Sequence, residues 1–313
     1  KRMSQITSEV FMIRPKHFNF NHETAKNNHF QKEEKTLKNK EILQNAISEF
    51  EELVKKIKQK NIKVEIFEDR EEVITTDSIF PNNWISLHKD GKIYVYPMFS
   101  EIRRKEKRID IINSYRDNGY LINETIDLSK YEKENKFLEG TGSMVLDREN
   151  KLCYAAISER TSREVLNKFC EISGYEAIAF KSYQTFENKR KEIYHTNVMM
   201  CIADKYVIIC LDSIDNIDER KSVIKKLIES KKEIIEINEK QCNNFAGNML
   251  QVKNNQNKKF LIMSKSAYDS LSKEQLKLIT SHNEIIYSSL DTIEKLGGGS
   301  ARCMITENFL RRK

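Results

Sequence analysis

Cys303 lies in Gly297-Gly298-Gly299-Ser300-Ala301-Arg302-Cys303-Met304, a glycine-rich turn that carries a thiol to the start of an apolar segment. Glycine lets a backbone take positive φ and approach a ligand closely, and a cysteine nucleophile needs a reachable sulfur near positive charge or helix-end dipoles. A lone cysteine, however, is by itself a small hydrophobe. His195 and Glu139 are the groups that would complete the chemistry: an imidazole as general acid/base, and a carboxylate to orient it or to bind substrate. Taken singly, His195 reads as a core histidine and Glu139 as a turn carboxylate. Their shared phase in a repeat makes them a set.

The repeat is a strand, strand, helix, strand unit. Asn83-Trp84-Ile85-Ser86-Leu87-His88 turns at Lys89-Asp90-Gly91 into Lys92-Ile93-Tyr94-Val95-Tyr96, and Asp-Gly between strand formers is a strong hairpin signal. Similar hairpins are predicted at Ser143-Met144-Val145-Leu146, at Val198-Met199-Met200-Cys201-Ile202 and at Asn248-Met249-Leu250-Gln251-Val252. A last copy begins at Cys303 and needs the N-terminal segment Val10-Phe11-Met12-Ile13 to complete it. With Asn83, Glu139, His195, Gly247 and Cys303 as module starts, the separations are 56, 56, 52 and 56 residues. Helices are expected at about 34–58, 101–118, 159–173, 215–230 and 266–281, from their apolar periodicity. Such self-similarity marks a stacked or closed repeat architecture. Five copies joined end to start predict a closed α/β ring, one domain over 1–313, with Asn83, Glu139, His195 and Cys303 meeting at its axis.

Composition bounds the rest. The 313 residues and 39% hydrophobic content suffice for a sizeable core. The net charge of +7 comes from 54 basic and 47 acidic side chains mixed along the chain, without the clustered basic face of a nucleic-acid binder. No run of about 18 apolar residues suggests a membrane span. The first residues lack a signal-peptide core, and the six cysteines show no CxxC or metal-ligand spacing. We therefore expect a cytoplasmic protein with reduced thiols, no metal or organic cofactor, no nucleic-acid or membrane partner, and a small-molecule substrate; a homodimer stays open.

The chain resembles the guanidino-group-modifying superfamily, the five-bladed α/β propellers (penteins) that include arginine deiminases, dimethylarginine dimethylaminohydrolases and amidinotransferases. Phe11-Met12-Ile13-Arg14-Pro15, Phe18, Asn21 and Phe80-Pro81-Asn82-Asn83-Trp84 look most like its bacterial citrulline-utilisation hydrolase branch. The resemblance implies that Cys303 is the attacking thiolate, His195 the acid/base, and Glu139 the acid beside histidine and substrate. It further implies that Asp77 holds guanidino nitrogens and that Arg103 and Arg160 hold a substrate α-carboxylate, a pairing that suits the planar guanidinium fork. Asn83 and Asn197 stand where arginine deiminases carry aspartates, and Gly142 where they often carry another. The missing anions favour a neutral ureido group such as that of citrulline, which amides can bind, while Asp77 and Glu139 keep a cationic guanidinium such as arginine open. The expected activity is cysteine-dependent C–N hydrolysis, with transfer of an amidino group to an amine, or binding of an amino acid without catalysis, as the alternatives.

Overall fold

The computed structural model describes residues 3–313. Five three-stranded sheets share one connectivity, an antiparallel pair followed by a parallel third strand. The first joins Ile85–Leu87, Lys92–Val95 and Glu124–Asp127, and the second Val145–Asp147, Leu152–Ala156 and Glu176–Phe180. The third joins Met200–Ile202, Tyr206–Ile209 and Glu233–Glu236, and the fourth Leu250–Lys253, Lys259–Ser264 and Glu284–Ser288. In the fifth, C-terminal Thr306–Glu307 pairs antiparallel with N-terminal Glu9–Arg14, which runs parallel to Lys63–Glu68. Val10 lies opposite Glu307, so the two ends of the chain are joined in one sheet as the repeat requires.

The sequence of the strands explains where they sit. Leu152–Ala156 and Tyr206–Ile209 are buried at every residue, as expected of strands covered on both faces, whose apolar runs lack alternation. The helices cover those faces with apolar stripes at helical spacing: Ile42, Ala46, Phe50, Leu53, Val54 and Ile57 of Asn39–Gln59 are all buried.

Two of the expected helices are broken. The stretch 101–118 divides into Glu101–Arg104 and Ile109–Asp117, because Arg103 turns inward and closes an ion pair with Glu106 in the intervening segment. The stretch 266–281 divides into Lys265–Ser270 and Lys273–His282, since Ser272 and Gln275 form a capping box that starts a new helix. The hairpin Tyr183–Phe186 with Lys189–Glu192 was unforeseen, while the helix-like segment before the cysteine turn is the helix Asp291–Gly297. Among the described residues no helix is long and apolar enough to cross a membrane.

Short helical turns stand at four of the five module starts: Pro81–Asn83, Gly140–Ser143, Thr196–Val198 and Ala301–Met304. They pack on one another. Gly140, at φ +51°, comes so near the first turn that a Cβ there would lie 2.2 Å from the Asn82 carbonyl oxygen, which only glycine's missing side chain allows.

Candidate active site

Each turn contains one of the expected residues or directly follows it. Glu139 and His195 immediately precede their turns, Asn83 closes its own, and Cys303 is the third residue of Ala301–Met304. Asp77, Asn83, Arg103, Arg160, His195 and Cys303 line a single cavity, together with Thr24, Asn28, Phe80, Tyr194 and Gly297 to Gly299. The cavity, about 10 Å³, has room for at most about one water molecule. Segment 21–31 covers it: Asn21 donates to Asp77 (2.9 Å) and Gln31 to the Leu296 carbonyl (3.0 Å).

Glu139 is fully buried and stands at the centre of the charge network. Its Oε1 accepts from His195 Nε2 at 2.7 Å and faces Arg160 Nη1 at 3.5 Å, while its Oε2 accepts from the Phe99 backbone N–H at 3.0 Å. Burial alone would push its pKa up; Arg160, His195 and Arg103 together outweigh it and hold the carboxyl at about 2. His195 is pulled the other way. Burial, aided by Arg160 and Arg103, lowers it to about 4 against the raising effect of Glu139, so the imidazole is neutral at pH 7. With Nε2–H given to Glu139, Nδ1 is left as the basic nitrogen.

That depression is also a statement about stability. A histidine whose folded pKa lies below its unfolded value of 6.5 stabilises the fold fully above pH 6.5, and the contribution is lost as pH falls toward 4. Glu139, held near 2, adds a further loss below its unfolded value of 4.5. The melting temperature should therefore drop between pH 6.5 and pH 4, and the drop should be smaller in His195→Gln, by a free energy on the order of a few kcal/mol. Parallel slopes for the two proteins in calorimetry would show that His195 is not held neutral.

Cys303 is 3% exposed, and its sulfur accepts from two amides, Asn248 Nδ2 at 3.3 Å and Asn197 Nδ2 at 3.4 Å. Asn248 was missed. The expected start of the fourth module was Gly247, which carries no functional group; its neighbour Asn248 also donates to the Asn197 carbonyl (2.9 Å) and accepts from the Arg302 N–H (3.1 Å), fixing the cysteine turn from three sides. Reading the polar residue one position past the Gly247 module start would have found it.

The two arginines stand in the cavity wall with their forks engaged. Arg103 grips Glu106 through Nε (2.8 Å) and Nη2 (3.1 Å), and donates to Asn83 Oδ1 (2.7 Å) and the Phe80 carbonyl (3.1 Å). Arg160 donates to Asn27 Oδ1 (2.7 Å) and the Thr24 carbonyl (2.9 Å), and stacks over the Tyr194 ring at 4.6 Å. Asp77 differs. Its Oδ1 is buried without a hydrogen-bond partner, and burial, only partly offset by Arg103 and the Asn21 hydrogen bond, raises its pKa.

Gly142 has a steric reason. A Cβ at this position would lie 2.5 Å from Asn83 Nδ2 and 2.9 Å from His195 Nδ1 and Cε1, so an aspartate could enter only by displacing the imidazole. Gly142→Ala should lower kcat roughly 100-fold, the scale of a misplacement near 1 Å, with a circular-dichroism spectrum like that of the wild type. Unchanged kcat would show that His195 tolerates displacement.

Comparison with known proteins gives the family and the fold. The family model described as "N,N dimethylarginine dimethylhydrolase, eukaryotic" matches residues 14–310. No curated protein matches the sequence. Among solved structures, apo ArgZ, an arginine dihydrolase from the ornithine-ammonia cycle in cyanobacteria, is similar at a TM-score of 0.71 and 16% identity, over 95% of this chain and 40% of that one. The N-terminal domain of ArgZ, in a form covalently bound to a reaction intermediate, is similar at 0.69 and 16%, over 96% and 97%. A dimethylarginine dimethylaminohydrolase histidine variant, as its adduct with S-methyl-L-thiocitrulline, is similar at 0.66 and 13%, over 96% and 99%. The chain thus spans 40% of full-length ArgZ and nearly all of its N-terminal domain. At these identities the structural likeness is one of fold, an α/β fold built of small sheets. The family-model match carries more, since it runs through almost every residue discussed above: the chain belongs to the N,N-dimethylarginine dimethylhydrolase family in its eukaryotic form, and so to the C–N hydrolases of the guanidino-group-modifying superfamily.

Proposed function

We propose that this chain hydrolyses a C–N bond at the guanidino carbon of an arginine-like amino acid, through a covalent intermediate on Cys303. In this reading the five sheets are the blades of an α/β propeller (pentein), one domain over 1–313, with the site at its axis. One observation carries the choice of a guanidino over a ureido group: the buried Asp77 oxygen that has no donor. A guanidinium brings both the N–H donors and the positive charge that such a carboxylate lacks. The charge of Glu139, by contrast, is already shared between His195 and Arg160.

Cys303 gives its proton to His195 Nδ1, and the thiolate attacks the guanidino carbon. His195 returns the proton to the departing nitrogen, which leaves as ammonia or, from a methylated substrate, as an amine, and an S-linked thiouronium remains on Cys303. Water, deprotonated by His195, adds to that carbon; the C–S bond breaks and a ureido product leaves. Asn197 and Asn248 hold the sulfur in place, and Asn83 positions the Arg103 fork. Arg160 takes the substrate α-carboxylate once Thr24 and Asn27 release it as segment 21–31 moves, whereas Arg103 stays committed to Glu106.

The test is a parallel assay of L-arginine, N,N-dimethylarginine, L-citrulline, agmatine, and L-arginine with glycine, with ammonia, amines, citrulline, ornithine and transfer products quantified by mass spectrometry. Turnover of arginine or dimethylarginine with release of ammonia or dimethylamine is expected. Exclusive use of citrulline would contradict the role given to Asp77, and a glycine-dependent product would identify an amidinotransferase.

A further inference from the structure

A second cavity, of about 460 Å³, lies on the far side of the wall formed by residues 28–32 and the helix Asp291–Gly297. Phe30 and Phe245, packed with ring centroids 5.3 Å apart, line its apolar side. Two buried polar side chains line it. Gln184, 5% exposed, has an Nε2 with no hydrogen-bond partner. Glu294, also 5% exposed, accepts from Ser300 Oγ at 2.7 Å. Lys32, Lys295 and the carboxylate of Asp291 stand exposed at the rim; Lys295 is shared with Glu34, and Lys32 forms no ion pair among the described residues.

We propose that this cavity is a second ligand site, and that it takes a basic amino acid. The side-chain cation meets Glu294 beside the aromatic rings, where a desolvated cation is also attracted by an exposed ring face. The α-carboxylate turns outward to Lys32 and Lys295 and accepts from Gln184 Nε2, the buried donor left without a partner. A diamine would bring no carboxylate to the rim lysines, whereas the α-ammonium of an amino acid meets Asp291 beside them. Burial, with the neighbouring Asp291 carboxylate, raises the Glu294 carboxyl to about 7 against its hydrogen bonds from Ser300, Ser264 and Ser266, so the site holds a cation more strongly as pH rises above that value. The assignment does not depend on the catalytic reading, because no guanidino chemistry enters it.

L-lysine is the probe, since it has no guanidino or ureido carbon to be consumed. Calorimetric titration of the full chain at pH 8 should show one saturable site for it, with a dissociation constant at least about tenfold larger in Gln184→Leu and in Ser266→Trp, which fills the cavity from its partly exposed edge. Asp77→Asn should bind L-lysine as the wild type does. Absence of saturable binding, equal affinity in Ser266→Trp, or loss of binding in Asp77→Asn alone would overturn the proposal, the last by placing the ligand in the catalytic cavity. Failure of the catalytic reading shows itself separately, as absence of arginine turnover with lysine binding intact.

Discussion

Cys303→Ala should abolish turnover, by about 10⁴-fold or more in kcat, while the protein keeps its fold. The size follows from the sulfur's part in the scheme: it splits one hard displacement at a resonance-stabilised carbon into two easier ones, and nothing else lining the cavity is a comparable nucleophile. The fold should survive. The thiol donates no hydrogen bond that holds the turn together; the backbone does that work, with Cys303 N–H donating to the Ser300 carbonyl at 3.1 Å and Arg302 N–H to Asn248. Residual turnover within 100-fold of the wild type, with an unchanged melting temperature, would remove Cys303 from the chemistry.

Glu139→Gln should lower kcat by roughly 10⁴-fold, the scale of what an amide in place of the orienting carboxylate costs a triad histidine. The substitution preserves shape and removes charge. Two consequences separate this role from a structural one. Glu139 is the group that raises His195, so its loss lowers the histidine pKa further, and the acid limb of the rate profile should move to lower pH even as the plateau falls. Arg160, 2% exposed at its side chain, would be left without its buried counter-charge, which costs about 3 kcal/mol or more when one member of such a pair is removed. A drop in rate with an unmoved acid limb would show that Glu139 supports only the packing.

Much of this architecture could be read from spacing. The constant interval between module starts placed Asn83, Glu139, His195 and Cys303 on neighbouring turns, and the pairing of Val10 with Glu307 is the join that the incomplete last copy called for. What could not be read depends on how side chains choose partners once packed. Arg103 and Glu106 are three residues apart in a charged stretch that reads as solvated, yet both are buried and paired. Asn248 makes sense only beside Asn197 and Cys303, residues 51 and 55 positions away. The closing of the cavity by segment 21–31 likewise rests on contacts such as Asn28 to the carbonyls of Gly297 and Gly298, which no local pattern announces. Gly142 is the reverse case: a departure visible in the sequence whose cause, the nearness of the His195 ring, is visible only in three dimensions.

The proposed reaction requires the sulfur of Cys303 to be an activated nucleophile in a cavity that admits guanidino compounds. Exposure to an arginine-mimicking haloacetamidine, followed by peptide mass spectrometry, addresses this directly, because the protein carries five other cysteines, all unbonded and buried, as internal controls. The expected result is modification of Cys303 well ahead of Cys153, Cys170, Cys201, Cys210 and Cys242, slowed in proportion to added L-arginine. Labelling of Cys303 no faster than the others, or indifferent to L-arginine, would contradict the account.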